Sequence, residues 1–316
     1  MNEGQPYFSI CMPAYKQPEM IRRLLNSIQQ QSFRDFEVII TDDSPGNEVE
    51  EVADSFKPYF KISYYKNLKP LGTPENWNQA IRYATGKWIK LMHQDDWFAS
   101  DQSLATFYQF TNDHPGSSFF FSAFANIDAE SGKKENVNCN SWQLFLLRIS
   151  PLHLFKKVYV GNPSCTLIRN EQKLFYDTRL KFVVDFEFYI RCFQAGMKWK
   201  YIPFRLINVG FHPDQVTKFT FLVPEVQIPE NNLLIGIFGE KILHHLVVFD
   251  YYWRMYRNLG IRTIDQAKSF DHNQMPFVLE KILRFQLIIP LSLLRVGMLS
   301  KVFMSIAYLF FRMRIL

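Results

Sequence analysis

Short apolar runs that stop abruptly alternate with longer stretches whose apolar residues recur at helical spacing. Tyr7 to Met12 (Tyr-Phe-Ser-Ile-Cys-Met) reads as a buried first strand halted by Pro13, with Pro13-Ala14-Tyr15-Lys16 forming a loop after it. Ile21, Leu24, Leu25 and Ile28 then mark a helix over Glu19 to Gln31, with Pro18 at its start. Phe36 to Thr41 predicts a second strand, ending in Asp42-Asp43-Ser44-Pro45-Gly46, where carboxylates are followed by turn residues. A helix over Glu48 to Phe56, a strand over Ile62 to Tyr65 and a turn-rich segment from Asn67 to Pro74 follow. A helix from Glu75 to Ala84, capped by Gly86, leads into the strand Trp88 to Met92. This alternation predicts an α/β fold with a largely parallel sheet and helices on its faces.

The pattern continues with a helix over Ser103 to Thr111, a buried strand over Ser118 to Phe124 and a polar, loop-like segment from Asn126 to Asn140. Trp142 to Phe155 reads as helical, and Gly161 to Thr166 as a turn before a short strand ending at Arg169. Phe182 to Cys192 predicts a helix with a buried aromatic face, capped by Gly196, and Tyr201 to Phe211 another strand. Beyond residue 218 the strand pattern stops, and Asn232 to Asn258 and Pro276 to Leu316 read as helical. The expected division is therefore an α/β domain over residues 1–218 and a helical region over residues 219–316.

Lys90 to Phe98 is the stretch around which the rest is organised. An apolar run ends in two adjacent carboxylates, Asp95 and Asp96, followed by Trp97 and Phe98. Acids that terminate a strand lie at the carboxyl edge of the sheet, where open α/β folds bind ligands. Adjacent carboxylates repel unless a cation sits beside them, and a divalent metal carrying a diphosphate meets that need. A simple acidic turn is the plainer alternative.

Composition narrows the picture. With 47% hydrophobic and 16% aromatic residues in 316, the chain can bury a sizeable core, which excludes disorder. A formal charge of +6 is mild, and no nucleic-acid partner is expected. Cys11, Cys139, Cys165 and Cys192 are widely spaced, which fits a reducing compartment and neither a disulfide framework nor a zinc site. Met1 to Pro6 lacks the pattern of a signal peptide, and no long uncharged apolar run predicts a spanning helix, so a cytoplasmic location is expected. Lys281 to Leu316 carries Lys281, Arg284, Arg295, Lys301, Arg312 and Arg314 and no acid. That composition suits a basic amphipathic helix lying in a membrane interface, or else a helix pair docked on its own domain or on a second subunit of a homo-oligomer.

Four motifs occur in a fixed order: Met-Pro-Ala-Tyr at 12–15, Asp-Asp-Ser at 42–44, His-Gln-Asp-Asp-Trp at 93–97, and Asp185 on a later apolar helix. With Asn76-Trp77-Asn78-Gln79-Ala80-Ile81, Asn162-Pro163-Ser164 and His212-x-x-Gln215-x-Thr217, the first 217 residues resemble family two of the glycosyltransferases. The resemblance implies a GT-A fold and inverting transfer from a nucleotide-diphosphate sugar, with a UDP-sugar favoured. The acceptor would be a hydroxyl on a carbohydrate or lipid-linked sugar, as in bacterial surface-polysaccharide assembly at the inner membrane face. It assigns Pro13, Ala14, Tyr15, Asp42 or Asp43, Asn78 and Asp95 to the donor nucleotide. Asp95 and Asp96, with His212, would hold Mn²⁺ or Mg²⁺, Asp96 being the principal ligand. Asp185 would be the general base, its apolar neighbours raising its pKa.

The sequence departs from the family pattern at four positions. His93 replaces a carboxylate and is read as a residue behind the metal or against the sugar. Trp77 stands for an arginine, Gly210 for a basic residue and Val184 for a second acid, leaving Lys16 as a candidate cation for the diphosphate. A non-catalytic nucleotide-sugar-binding scaffold is the alternative that His93, Trp77 and Gly210 favour. A nucleotidyltransferase would want a glycine-rich phosphate loop, and none is present.

Overall fold

The structure, a computed structural model, describes residues 4–172, 174–211, 220, 222–272 and 274–313. The chain forms two compact units. One comprises Met1–Phe145, Tyr159–Thr178 and Phe188–Gln215, the other Leu146–Val158, Arg179–Glu187 and Val216–Leu316.

The first unit is built on a sheet of β1 (Phe8–Ala14), β2 (Phe36–Asp42), β3 (Ile62–Lys66), β4 (Trp88–Leu91), β5 (Trp97–Phe98), β6 (Phe119–Asp128), β7 (Lys134–Val137), β8 (Thr166–Arg169) and β9 (Trp199–Phe211). The order is β3-β2-β1-β4-β8-β6-β9-β5, with β7 paired to β6. The neighbours β3, β2, β1 and β4 run parallel, as do β6 and β9, whereas β8 is antiparallel to both β4 and β6. The sheet is thus mixed and mainly parallel. Every residue of β1 and β2 is buried, as strands covered on both faces require.

Helix α1 (Pro18–Gln29) lays the predicted stripe of Ile21, Leu24, Leu25 and Ile28 into a core with Phe8, Ile10, Val38 and Ile40. Burying each such side chain contributes about 1.5–3 kcal/mol. Helices α2 (Glu48–Phe56), α3 (Glu75–Tyr83) and α4 (Ser103–Asp113) complete the alternation expected from the sequence.

Two local expectations are corrected. The first strand does not stop at Pro13, because Pro13 pairs with Thr41 and Ala14 with Asp42. Pairing of β1 with β4 ends at Cys11, so Pro13, which has no N–H to give, sits where one neighbouring strand remains. The segment read as a loop from Asn126 to Asn140 contains the end of β6 and all of β7. Its exposed Lys134, Glu135 and Asn136 carry no apolar alternation that could have signalled a strand.

Helix α5 (Ser141–Ile149) is followed by a short 3₁₀ turn at Pro151–Phe155, and α6 spans Val184–Gln194. The C-terminal part is helical: α7 (Pro224–Phe238), α8 (Leu246–Asn258), α9 (Ile264–Ser269), α10 (Phe277–Leu287), α11 (Leu291–Arg295) and α12 (Gly297–Arg312). The helix expected from Asn232 to Asn258 breaks at Gly239, which takes φ 78°. The stretch from Pro276 to Leu316 breaks at Pro290 and Val296. Tyr252, Trp253 and Tyr256 are buried with Leu279, Ile282 and Leu283. The Trp253 indole and Arg257 both donate to Ser300 Oγ, at 3.1 and 2.9 Å, joining α8 to α12. Among the described residues, no helix is long and apolar enough to cross a membrane.

Candidate active site

Because β1, β2 and β4 run parallel, the segments that follow them emerge at one edge of the sheet. Gln94 ties two of these together, its amide accepting from the Tyr15 N–H at 2.8 Å and donating to the Tyr15 carbonyl at 3.1 Å. The Lys16 N–H donates to Ser44 Oγ at 2.6 Å, which joins the loop after β2 to the same edge. Lys16 and Gln17 both hold left-handed φ values, 56° and 57°. Non-glycine residues adopt that conformation at a cost of about 1–3 kcal/mol each, a pattern that clusters at functional sites. The Tyr15 ring stands half exposed beside Lys16.

The carboxylates after β2 are deeply engaged. Asp42 is fully buried and accepts from Tyr64 at 2.7 Å, Lys66 at 3.1 Å and the Ser44 N–H at 2.8 Å. Asp43 accepts from Asn67 at 2.8 Å and from the Leu71 and Gly72 N–H groups at 2.9 and 2.8 Å, fastening that loop over the edge. Asn78 is buried, and its amide makes a two-way bond with the Tyr176 backbone at 2.9 and 2.8 Å.

After β4, His93, Asp95 and Asp96 each present one ligand atom, all within 4.8 Å of one another. Asp96 is fully buried, with Oδ2 accepting from Asn162 at 2.7 Å and Oδ1 from the Gly210 N–H at 3.1 Å. Burial and the charge of Asp95 push its carboxyl up to about 8, against the pull of Ser164, Asn162 and Gly210. Lys90 is buried nearby, donating to the carbonyls of Ser164 and Thr166, and burial lowers its ammonium to about 7. The His93 N–H donates to Ser164 Oγ at 2.9 Å, while its Nε2 is buried without a partner. Burial lowers the imidazole to about 4, so it is neutral near pH 7. A neutral imidazole, its orphaned nitrogen and two carboxylates make a donor set that fits a divalent cation. The sequence reading placed His93 behind the metal or against the sugar, and the structure brings one of its ring nitrogens into the cluster with the two carboxylates.

Arg23, on α1, is a residue of this site that the sequence did not reveal. Its guanidinium donates to the Asp95 carbonyl at 2.7 Å and lies 3.9 Å from the Trp97 ring centroid. Its position on α1 lies off the apolar stripe and carries no motif, so no pattern marks it.

Asp185 is the second residue of α6. It is only partly exposed, its Oδ1 is buried with no partner, and burial pushes its carboxyl up to about 7. His212 lies outside the described residues.

Residues 9–175 match the family described as Glycosyl transferase family 2. The chain belongs to that family. This glycosyltransferase is 27% identical over 203 residues to an uncharacterised glycosyltransferase of Methanocaldococcus jannaschii, a match spanning 63% of this chain and 68% of that protein. It is also 27% identical over 110 residues to the GalNAc(5)-diNAcBac-PP-undecaprenol β-1,3-glucosyltransferase of Campylobacter jejuni, spanning 34% of this chain and 35% of that one. Among solved structures, S. aureus TarS 1-349 in complex with UDP-GlcNAc superposes with a TM-score of 0.65 at 16% identity, covering 97% of this chain and 92% of TarS. That likeness shows the GT-A type of fold for this glycosyltransferase.

Proposed function

We propose that this glycosyltransferase is an inverting, metal-dependent enzyme that moves a sugar from a UDP-sugar to an acceptor hydroxyl. The observation that carries the reading is the cluster of His93, Asp95 and Asp96 at the carboxyl edge of parallel strands. These three residues would hold Mn²⁺ or Mg²⁺, and the imidazole favours Mn²⁺. Such an ion, when bound, stabilises negative charge on the leaving diphosphate. Tyr15, held by Gln94, together with Pro13 and Ala14, would line the nucleotide, and Asp42 and Asp43 would support it by fixing the loops around it. The family resemblance would give His212 a contact with the metal or diphosphate, at a position outside the described residues.

Asp185 would act as base. A carboxylate with a raised pKa and an unbonded buried oxygen is suited to accept the acceptor's hydroxyl proton as that oxygen attacks the anomeric carbon from the face opposite the diphosphate. Asn162, Ser164 and the Gly210 N–H, which bond Asp96, would orient that acid of the cluster.

The acceptor would be lipid-linked, with the enzyme peripheral at the inner face of the cell membrane. Support comes from α12, where Met298, Val302, Ile306 and Leu309 are exposed beside the basic Lys301 and Arg312. The Campylobacter relative acts on an undecaprenol-linked acceptor by its name.

The decisive experiment is hydrolysis and transfer with a panel of UDP-sugars, with and without Mn²⁺, in wild type and Asp185→Asn. A Mn²⁺-dependent wild type and an inactive, folded Asp185→Asn protein support the reading. Donor binding without turnover in both proteins would favour the non-catalytic scaffold.

A further inference from the structure

Glu230, on α7, is a buried carboxylate to which neither the family motifs nor the reaction assigns a role. Its Oε1 accepts from the Lys181 N–H at 2.8 Å, and its Oε2 from the N–H groups of Phe182 and Val183 at 2.9 and 3.1 Å. Three consecutive backbone donors converge on one side chain at the entry to α6, which begins at Val184. Val183 stands at the N-cap of α6, where an N–H has no partner within the helix and the helix dipole favours a negative charge, and Lys181 and Phe182 lie in the turn just before it. Helices usually satisfy such donors with a nearby Ser, Thr or Asp. Here the charge comes from another helix nearly fifty residues on, although burying it is costly: desolvation raises the Glu230 carboxyl above its ordinary value despite the three donors.

We infer that Glu230 is a positioning residue for Asp185, fixing the turn 181–183 and so the point from which the Asp185 side chain projects. The inference rests on the proposed role of Asp185 as base. Asp185 lies two residues beyond the last of the three bonded N–H groups, so any change in the backbone angles of that turn moves its carboxylate directly. The clamp also accounts for a lone acid serving where no second acid precedes it, since position 184 is valine. Orientation is supplied by the backbone rather than by a neighbouring side chain.

The test uses the full chain carrying Glu230→Gln, which keeps the size and removes the charge, and Glu230→Asp, which keeps the charge on a shorter arm. Amide hydrogen exchange at residues 181–183 should quicken in both variants, more in Glu230→Gln. Stabilisation by UDP with Mn²⁺ and the KM for the UDP-sugar should stay at the wild-type value. The kcat per folded molecule should fall, on the order of a hundredfold for Glu230→Gln, as expected when a catalytic group is displaced by about an ångström. The acidic limb of the pH–rate profile should move as Asp185 changes surroundings. An unaltered kcat per folded molecule alongside faster exchange would overturn the inference and leave Glu230 a structural clamp. Should Glu230→Gln fail to fold, Glu230→Asp decides by the same readouts. If Asp185→Asn keeps wild-type turnover, the base role itself has failed, and the exchange data then report only whether Glu230 holds the turn.

Discussion

The indole of Trp77 packs against the ring of His93, with centroids 4.5 Å apart and planes inclined by 39°. These are two of the positions at which the sequence departs from its family's pattern, and they are neighbours. An apolar wall beside His93 favours the neutral imidazole that a metal needs, so the pair reads as one substitution rather than two defects. Replacing His93 by Ala should raise the Mn²⁺ concentration needed for half-maximal turnover by roughly ten- to a hundredfold, as the loss of a residue at or beside a metal typically does. His93→Asp should retain Mn²⁺ dependence. A Mn²⁺ titration of activity and of thermal stability measures both.

Gly210 and Arg23 form the second such pair. A Cβ at position 210 would collide with the Asp95 carbonyl, the same oxygen to which Arg23 donates. A basic side chain at 210 is therefore excluded, and a cation reaches the acidic turn from α1 instead. Gly210→Ala should destabilise the protein by about 1–3 kcal/mol through overpacking. Arg23→Ala should cost about 1–3 kcal/mol through the lost charged hydrogen bond and the ring contact. Arg23→Lys should recover only part, because an ammonium cannot both bond the carbonyl and stack flat on Trp97. Urea denaturation of the three variants tests the set.

Asp185 makes two opposed predictions for pH. As the proposed base, Asp185 would work only as the carboxylate, so kcat/KM should fall as pH drops through about 7, the value to which burial raises this group. Stability runs the other way. The folded state holds this proton more tightly than the unfolded chain, where the ordinary value is 3.8, so the group's contribution is present at low pH and is lost as pH rises through about 7. Asp185→Asn should lower turnover by roughly a hundredfold to ten-thousandfold. The same variant should flatten this part of the stability profile between pH 4 and 7, as chemical denaturation over a pH series would show.

The exposed face of α12 predicts surface binding. Wild-type protein should co-sediment with vesicles containing an anionic lipid and release as salt is raised, because attraction of basic residues is screened over about 10 Å at 0.1 M salt. Substituting Ser at both Met298 and Val302, each at least half exposed, should weaken sedimentation without lowering the melting temperature. Equal binding to neutral and anionic vesicles would rule out the electrostatic half of this reading.

Much of the molecule was legible in the sequence because the signal was local. The apolar stripe of α1, the buried runs of β1 and β2 and the acids that follow β2 and β4 come from short-range periodicity and turn chemistry, and the structure has them there, with β1 running on past Met12 to Ala14. Strand β7 escaped because an exposed edge hairpin buries too little to leave an alternation, and the break at Gly239 escaped because one glycine does not by itself end a helical pattern. What only the tertiary structure decided are relations between residues far apart in the chain. Trp77 with His93, Arg23 and Gly210 around Asp95, Gln94 across to Tyr15, and Glu230 beneath the start of α6 are all such pairs. Sequence periodicity records which face of an element is buried, but it carries no information about which buried faces meet. The sequence alone supplied the imidazole and the adjacent carboxylates of His93, Asp95 and Asp96, and folding supplied the guanidinium of Arg23 and the absent side chain at Gly210 that surround them.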